Sequence, residues 1–393
     1  MKNELKDLKS VDIVTLKKKK KRRRQIIKFL AFVGVVLIGI IAYVKLDDWF
    51  PSFEGLGDRF KSVRPGEGVS EGNFPLRISG GIEYQVADLD GYLAILSDAY
   101  LYIYDSSGEI YDERQHAYAN AMMQTAEKQV LIYESGGNNF RVDSRRKNMY
   151  TKKIDNKIMF ARISSNGYVA VISSSDTFVC RLTVFDSDGN EIYNRDCVER
   201  VIDIDFTDDG KGCVLATSYT SDGKFASKLI SVAFDSKEDR WVSDEFAGLC
   251  IKVHSDGEGF YVIGEDKCAY YNDSGKSEMS YDYPSGLIDW DFNEKGVALL
   301  FKNETKRQSY FTTISSDKKT PNEKSFDNSE VKCIKFAGNN VLVMNKDGIN
   351  RYGFKGSDET NINSETSYDR FILIDDYIFL MGYDRIDRVK YSE

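Results

Sequence analysis

Four aspartates carry the most suggestive chemistry in this chain. Asp203 and Asp205 stand in Val201-Ile202-Asp203-Ile204-Asp205-Phe206, and Asp289 and Asp291 stand in Leu287-Ile288-Asp289-Trp290-Asp291-Phe292. In both hexapeptides the carboxylates alternate with apolar residues. On an extended strand this alternation sends Ile202, Ile204 and Phe206, and likewise Ile288, Trp290 and Phe292, to one face and the carboxylates to the other. Carboxylates gathered at the mouth of a channel could hold a cation or a sugar, or serve as a hydrolytic pair at separations of about 5–10 Å. The plainer reading is hydrogen bonding between neighbouring sheets and the capping of turns. These four are the candidate channel residues; no catalytic residue is assigned.

Little else carries reaction chemistry. His116 and His254 are the two histidines, so metal sites built from several histidines are excluded. His254 precedes Ser255-Asp256-Gly257 and is expected in a solvent-exposed hairpin turn. No nucleophile motif lies near either histidine. Gly68-Val69-Ser70-Glu71-Gly72 matches Gly-x-Ser-x-Gly without the strand and helix that give the motif meaning. Gly275-Lys276-Ser277 lacks the earlier glycine of a phosphate-binding loop, because Tyr270 stands there. Asp186-Ser187-Asp188-Gly189-Asn190 resembles part of a calcium loop, but Cys197 occupies the place of its last acidic ligand. Hairpin-turn chemistry accounts for both segments. No metal site and no cofactor are expected.

Six cysteines are present, at 180, 197, 213, 250, 268 and 333, with no Cys-x-x-Cys spacing. One pair can be argued from register. A two-residue turn at Asp188-Gly189 would set Phe185 opposite Ile192, Arg181 opposite Asp196 and Cys180 opposite Cys197. Directly opposed residues at a non-hydrogen-bonded position lie about 4.5 Å apart, within the reach of a disulfide. Cys180 and Cys197 are therefore either a disulfide or two small buried hydrophobes.

These residues need elements to position them, and the elements repeat. From Phe74 onward short apolar β-rich runs alternate with Gly, Asp, Ser and Asn turns. The turns before successive second strands fall near Gly91, Lys128, Gly167, Gly212, Gly259, Gly296, Asn340 and Asp376, at intervals of 36 to 47 residues. A four-stranded repeat of about 40 residues is the signature of a β-propeller blade. Eight turns predict eight blades, with seven as the alternative because the unit at 118–154 is irregular. The last unit supplies three strands. The strand Phe74–Ser79 is expected to complete it and close the ring, which removes an open sheet edge. The innermost strands, including the two Asp-bearing ones, then line the central channel. Tyr100, Tyr102 and Tyr104 alternate on one strand; such a stripe suits core packing first and glycan stacking second.

The N-terminal part is of another kind. Lys17, Lys18, Lys19, Lys20, Lys21, Arg22, Arg23 and Arg24 form an unbroken basic run, followed by Ile26–Val44, apolar but for Lys28. At ~1.5 Å per residue such a run spans a hydrocarbon core roughly 30 Å thick. Residues 1–25 carry eleven basic and three acidic groups, whereas 45–393 carry 42 basic and 59 acidic ones. The basic side stays cytoplasmic, which places the C-terminal mass outside. The run is too long, and too poor a cleavage match, for a signal peptide. The sequence thus predicts an all-β chain preceded by one transmembrane α-helix: a cytoplasmic basic tail (1–25), a membrane helix (26–44), a Gly-rich stalk with a short helix near 53–63 (45–73), and a β-propeller ectodomain (74–393). The basic run is expected to touch anionic lipid headgroups. No nucleic-acid partner is expected, because no folded domain accompanies it.

The basic tail, single span and Gly-rich stalk are followed by Phe74-Pro75, by Tyr102-Ile103-Tyr104-Asp105-Ser106-Ser107-Gly108, by His116-Ala117-Tyr118-Ala119-Asn120 and by Leu131-Ile132-Tyr133. Together they resemble a domain-of-unknown-function family of single-pass, membrane-anchored WD40/quinoprotein-like β-propellers from clostridia-like Gram-positive bacteria. Ala121 departs from the Pro that such families favour. The resemblance implies place and fold, and carries no functional residues. Two functions follow as expectations. One is a non-catalytic envelope module that binds a protein or the cell wall. The other is an extracytoplasmic glycan hydrolase or lyase using the channel aspartates. A quinone-dependent dehydrogenase ranks behind both, for want of an adjacent cysteine pair.

Overall fold

The computed structural model describes residues 74–391, apart from 78–82, 318–319, 328–329, 358–359, 363–367 and 384. The expected basic tail with Lys17–Arg24, the span and the stalk lie outside the described residues. Among the described residues no helix is long and apolar enough to cross a membrane.

The described chain forms eight antiparallel sheets in sequence order, the blades of a β-propeller. Blades 1 to 7 occupy 85–115, 121–153, 158–197, 200–247, 250–282, 286–327 and 331–362. Blade 8 combines the strands Tyr368–Ile374, Tyr377–Gly382 and Arg385–Lys390 with Leu76–Arg77 from the beginning of the described chain. Leu76 pairs with Ile386 and Arg77 with Arg385, so the ring closes as expected. The unit that looked irregular in sequence is a regular four-stranded blade 2, and the seven-blade alternative falls.

The hydrophobic residues do not gather in one core. They form eight clusters, one in each seam between neighbouring blades. This explains the continuous apolar run of each second strand. In Val169–Ser173 of blade 3, Val169 and Val171 face the seam with blade 2, while Ala170 and Ile172 face the seam with blade 4. A strand covered on both faces has no polar side to display. Tyr102 and Tyr104 pack against the seam between blades 8 and 1, and Tyr100 lies 5.6 Å from Tyr102 ring to ring.

The hairpin turns repeat one local device. Asp105 Oδ1 accepts the amides of Ser107 and Glu109, Asp186 Oδ1 those of Asp188 and Asn190, and Asn272 Oδ1 those of Ser274 and Lys276, all at 2.7–3.1 Å. A side-chain oxygen thus stands in for a backbone acceptor in each turn. The calcium-like segment and Gly275-Lys276-Ser277 are hairpin turns of this kind. The blade 3 turn is longer than the two-residue turn expected. Asp186 and Asn190 are joined by a backbone hydrogen bond, and Gly189 takes φ +80°. The extra residue shifts the register there, so Phe185 faces Glu191 rather than Ile192. Beyond the shift, Arg181 faces Asp196 and Cys180 faces Cys197, as expected.

Candidate functional site

The innermost strands of blades 1 to 8 are Gln85–Leu89, Ala121–Ala126, Ile158–Ile163, Arg200–Phe206, Cys250–Ser255, Gly286–Asn293, Val331–Ala337 and Tyr368–Ile374. In blades 3 to 8 the pairing of this strand with its neighbour skips one residue at the same place. The skipped residues are Met159, Ile202, Ile251, Ile288, Lys332 and Asp369. A bulge re-aims the residue it contains. It takes Ile202 and Ile288 out of the apolar face on which strict alternation had put them, and Ile288 is 36% exposed.

The bulges also align the residues that follow. Immediately after them stand Phe160, Asp203, Lys252, Asp289, Cys333 and Arg370; two residues further stand Arg162, Asp205, His254, Asp291, Lys335 and Ile372. From blade 3 to blade 7 this second ring alternates basic and acidic side chains. Opposite charges meet across three of these seams, Arg162 with Asp203, Lys252 with Asp203 and Lys335 with Asp291; between blades 5 and 6 the His254 ring instead stacks on Phe292.

All four predicted aspartates are found here, and each reaches into the next blade. Asp203, buried, receives Arg162 at 2.5 Å, Lys252 Nζ at 3.0 Å and the Val253 amide at 3.1 Å. Asp205 accepts the Ser255 amide at 2.8 Å and lies 3.3 Å from His254 Nδ1. Asp289 and Asp291 accept the amides of Ile334 and Phe336 at 2.9 and 2.8 Å, with Lys335 within 3.8 Å of both carboxylates. The two Asp pairs therefore both accept amides of the next blade, at the seams between blades 4 and 5 and between blades 6 and 7. Gln85 does the same between blades 1 and 2: it donates to Ala121 O and accepts the Met123 amide.

The electrostatics follow from this pairing. Burial pushes the Asp205 carboxyl up, but the His254 contact, the Ser255 amide and the Lys252 charge outweigh it and hold it below the usual carboxylate range. Asp291 goes the other way: burial raises its carboxyl despite Lys335. For Lys335 burial acts downward, yet Asp291 and Asp289 keep the ammonium above its ordinary value.

His254 is not the solvent-exposed turn residue expected from Ser255-Asp256-Gly257. It lies on the innermost strand of blade 5, half-buried, with its ring stacked 4.2 Å from Phe292 of blade 6. Arg162, Lys252 and Lys335 were also missed. Reading the innermost strands in register would have found all four, since each occupies the position of an Asp in an adjacent blade.

Among the pockets along this lining, two border its charged pairs. One, of about 630 Å³, lies where the innermost strands end, lined by Arg162, Asn166, Asp205, Asp208, Lys252 and His254. The other, of about 380 Å³, lies where they begin, lined by Ile288, Asp289, Lys332, Lys335, Arg370 and Phe371. We call the face at which the strands begin the upper face. Its mouth is uneven. Met122, Met159, Ile251 and Ile288 are exposed from blades 2, 3, 5 and 6, whereas blades 7 and 8 present Lys332 and Asp369, paired at 3.0 Å. The loops of this face expose Phe178, Val179, Val198, Phe225 and Tyr383 as well, Val198 to 68% and Tyr383 to 71%. Phe225 rides on the hairpin of Gly212–Ser221 and Lys224–Ala233, whose strands run ten residues against five to eight in the corresponding described hairpins.

Cys180 and Cys197 lie on the outer hairpin of blade 3, buried, with free thiols. Among the described residues no group of His, Cys, Asp and Glu is arranged to hold a metal ion.

The fold is shared with proteins of dissimilar sequence. BamB from Moraxella catarrhalis superposes with a TM-score of 0.54 at 11% identity, covering 81% of this chain and 98% of that one. The computationally designed Ika8 protein gives 0.61 at 11% identity, covering 80% and 98%. The C-terminal WD40 domain of Sif2 gives 0.58 at 10% identity, covering 82% and 100%. No curated protein matches the chain in sequence. A family model matches residues 76–390, nearly the whole propeller: the chain belongs to DUF5711, a family of unknown function.

Proposed function

We propose that this protein is an envelope scaffold: a propeller held outside the cytoplasmic membrane by the span at 26–44, which binds a protein partner through its upper face. The observation that carries the reading is the apolar arc of Met122, Met159, Ile251 and Ile288 around the upper mouth, enlarged by Phe178, Val179, Val198, Phe225 and Tyr383. Side chains of this size, gathered on one face, suit a partner that covers them, and aromatic and Met residues are enriched in such interfaces. A cell-wall glycan would want exposed aromatic platforms with polar groups around them, and of the tyrosine stripe Tyr102 and Tyr104 pack against a seam instead.

The alternative was glycan hydrolysis or lysis by Asp203, Asp205, Asp289 and Asp291. Each of these carboxylates accepts an amide of the next blade and faces a basic side chain there, which favours a structural role over a reacting pair. On our reading the N-terminus is cytoplasmic, and Lys17–Arg24 rest on anionic headgroups, each worth about 1 kcal/mol near the surface.

Proximity labelling from the propeller in living cells tests the proposal. A specific envelope protein should be captured by the full chain and lost when the propeller is removed but residues 1–73 are kept. Capture of the same proteins by both would refute it.

A further inference from the structure

We propose that Cys180 and Cys197 are a reversible redox pair, which closes into a cross-strand disulfide and clamps two loops of the upper face. The placement carries this inference. Cys180 opens the strand Cys180–Phe185, Cys197 ends the strand Glu191–Cys197, and the register sets them directly opposite each other. They sit at the open end of the hairpin, away from its turn. The loop before Cys180 carries Phe178 and Val179; the connection after Cys197 carries Val198. All three side chains are exposed and belong to the apolar set of the upper face. A bond between the sulfurs would tie these two segments together without moving the rest of the blade.

The pair has the reactivity that exchange requires. Each thiol donates to a backbone carbonyl, Cys180 Sγ to Glu199 O at 3.6 Å and Cys197 Sγ to Arg195 O at 3.8 Å; the contact between the two brings the Cys180 thiol down to about 7 and, with burial, pushes Cys197 up. The two thiols titrate as a pair, and either sulfur can lead the exchange. Both are buried, but Cys197 terminates the outermost strand of its sheet. Exposing the pair requires only the end of an edge strand to detach, a local opening far cheaper than unfolding. The other four thiols have no cysteine opposite them in the ladder: Cys213 faces Val232, Cys268 faces Tyr281, Cys250 faces Gly264 and Cys333 faces Met344. Burial raises all four, Cys333 to about 12.

The oxidant is a small disulfide. The thiolate of one cysteine of the pair attacks one of the oxidant's sulfurs, forming a mixed disulfide and releasing one thiolate. The other cysteine loses its proton and attacks the sulfur of the first, which forms the Cys180–Cys197 bond and expels the second thiol. Two protein thiols are oxidised and one external disulfide is reduced to two thiols.

Oxidised glutathione on the full-length protein is the test, followed by acid quenching, alkylation, digestion and mass spectrometry. The expected result is two thiols lost, one cross-linked peptide joining 180 to 197, reversal by dithiothreitol, and slower amide exchange at 174–179 and 198–199 in the oxidised form. Cys197→Ala and Cys180→Ala should each abolish the cross-linked peptide, with no new cross-link through the four other cysteines. Six thiols surviving the treatment would overturn the proposal, as would a cross-link through Cys213. If either variant misfolds, the cross-link map of the unaltered chain decides alone.

Discussion

Asp203 Oδ2 accepts the backbone amide of Val253 at 3.1 Å, across the seam between blades 4 and 5. Asp289 accepts the amide of Ile334 in the same manner between blades 6 and 7. Neighbouring innermost strands in a propeller do not form a ladder with each other, so their inward amides need other acceptors. Carboxylates from the preceding blade supply them, and basic residues one blade away neutralise the charge. The channel lining is a fastening between blades.

Asp203 should matter most among the four. It is almost fully buried, and its removal strands Arg162 and Lys252 without their anion. Asp203→Ala is expected to cost about 3–5 kcal/mol. Asp289→Ala should cost about 1–2 kcal/mol, because its carboxylate is partly solvated and Lys335 keeps Asp291. Urea unfolding followed by circular dichroism measures both. A double-mutant cycle of Asp203→Ala with Arg162→Met should return a favourable coupling, and independent effects would contradict the link.

Stability should fall at alkaline pH through the buried tyrosines. Burial raises Tyr261, Tyr271 and Tyr283 well above the ordinary phenol value, and Tyr281 to about 12. Below a pH of about 10 both folded and unfolded states keep these protons and nothing is lost. Above it the unfolded chain releases protons that the folded chain retains, so unfolding is favoured. Lys335 acts with the same sign, since its folded value is raised by Asp291 and Asp289. Tyrosinate absorbance should therefore rise together with loss of β-sheet signal. Ionisation of these tyrosines in a fully folded chain would contradict this.

Gly296 begins the second strand of blade 6 with φ +138°, and a Cβ there would overlap the Ile314 carbonyl. Gly296→Ala should cost about 2 kcal/mol or more. Gly223 also has positive φ but open space around it, so Gly223→Ala should cost only about 1 kcal/mol. Thermal unfolding of the two variants should separate them in that order.

Ring closure rests on a short strand. Leu76 is buried against Ile386, and Phe74 lies 5.6 Å from Phe379 ring to ring. Leu76→Asp should destabilise the propeller by at least about 3 kcal/mol and raise aggregation, because it bares the edge strand Arg385–Lys390. Size-exclusion chromatography and denaturant unfolding of the full chain would register both effects. Unchanged stability would mean that Leu76–Arg77 is dispensable for closure.

The blades were legible in sequence because their signal is periodic and local. Second strands such as Val169–Ser173 are apolar throughout, and Gly212, Gly259 and Gly296 mark where second strands begin. Closure by the segment after Phe74 was legible from the missing strand of the last unit. The Cys180–Cys197 register was legible because beyond the shifted turn the pairing about Asp188-Gly189 holds. What escaped was the work of the bulges. Simple alternation put Ile202 and Ile288 with the core, whereas the bulge took both off that face and left Ile288 exposed. His254 was misread for a related reason: Ser255-Asp256-Gly257 is a turn signal, but the strand runs through Ser255 and the turn begins only at Asp256. The basic partners Arg162, Lys252 and Lys335 are scattered in sequence and meet the aspartates only when the ring brings successive blades together.

The central claim is that the apolar arc of the upper face is a partner-binding surface. The most direct measurement compares proximity capture by the unaltered chain with capture by an Ile251→Asp, Ile288→Asp double variant in living cells. Both residues are exposed in bulges, so the variant should fold with little change in stability. The account predicts that the envelope partner disappears from the variant's capture while the protein stays at normal level. Undiminished capture of that partner by a folded variant would contradict it.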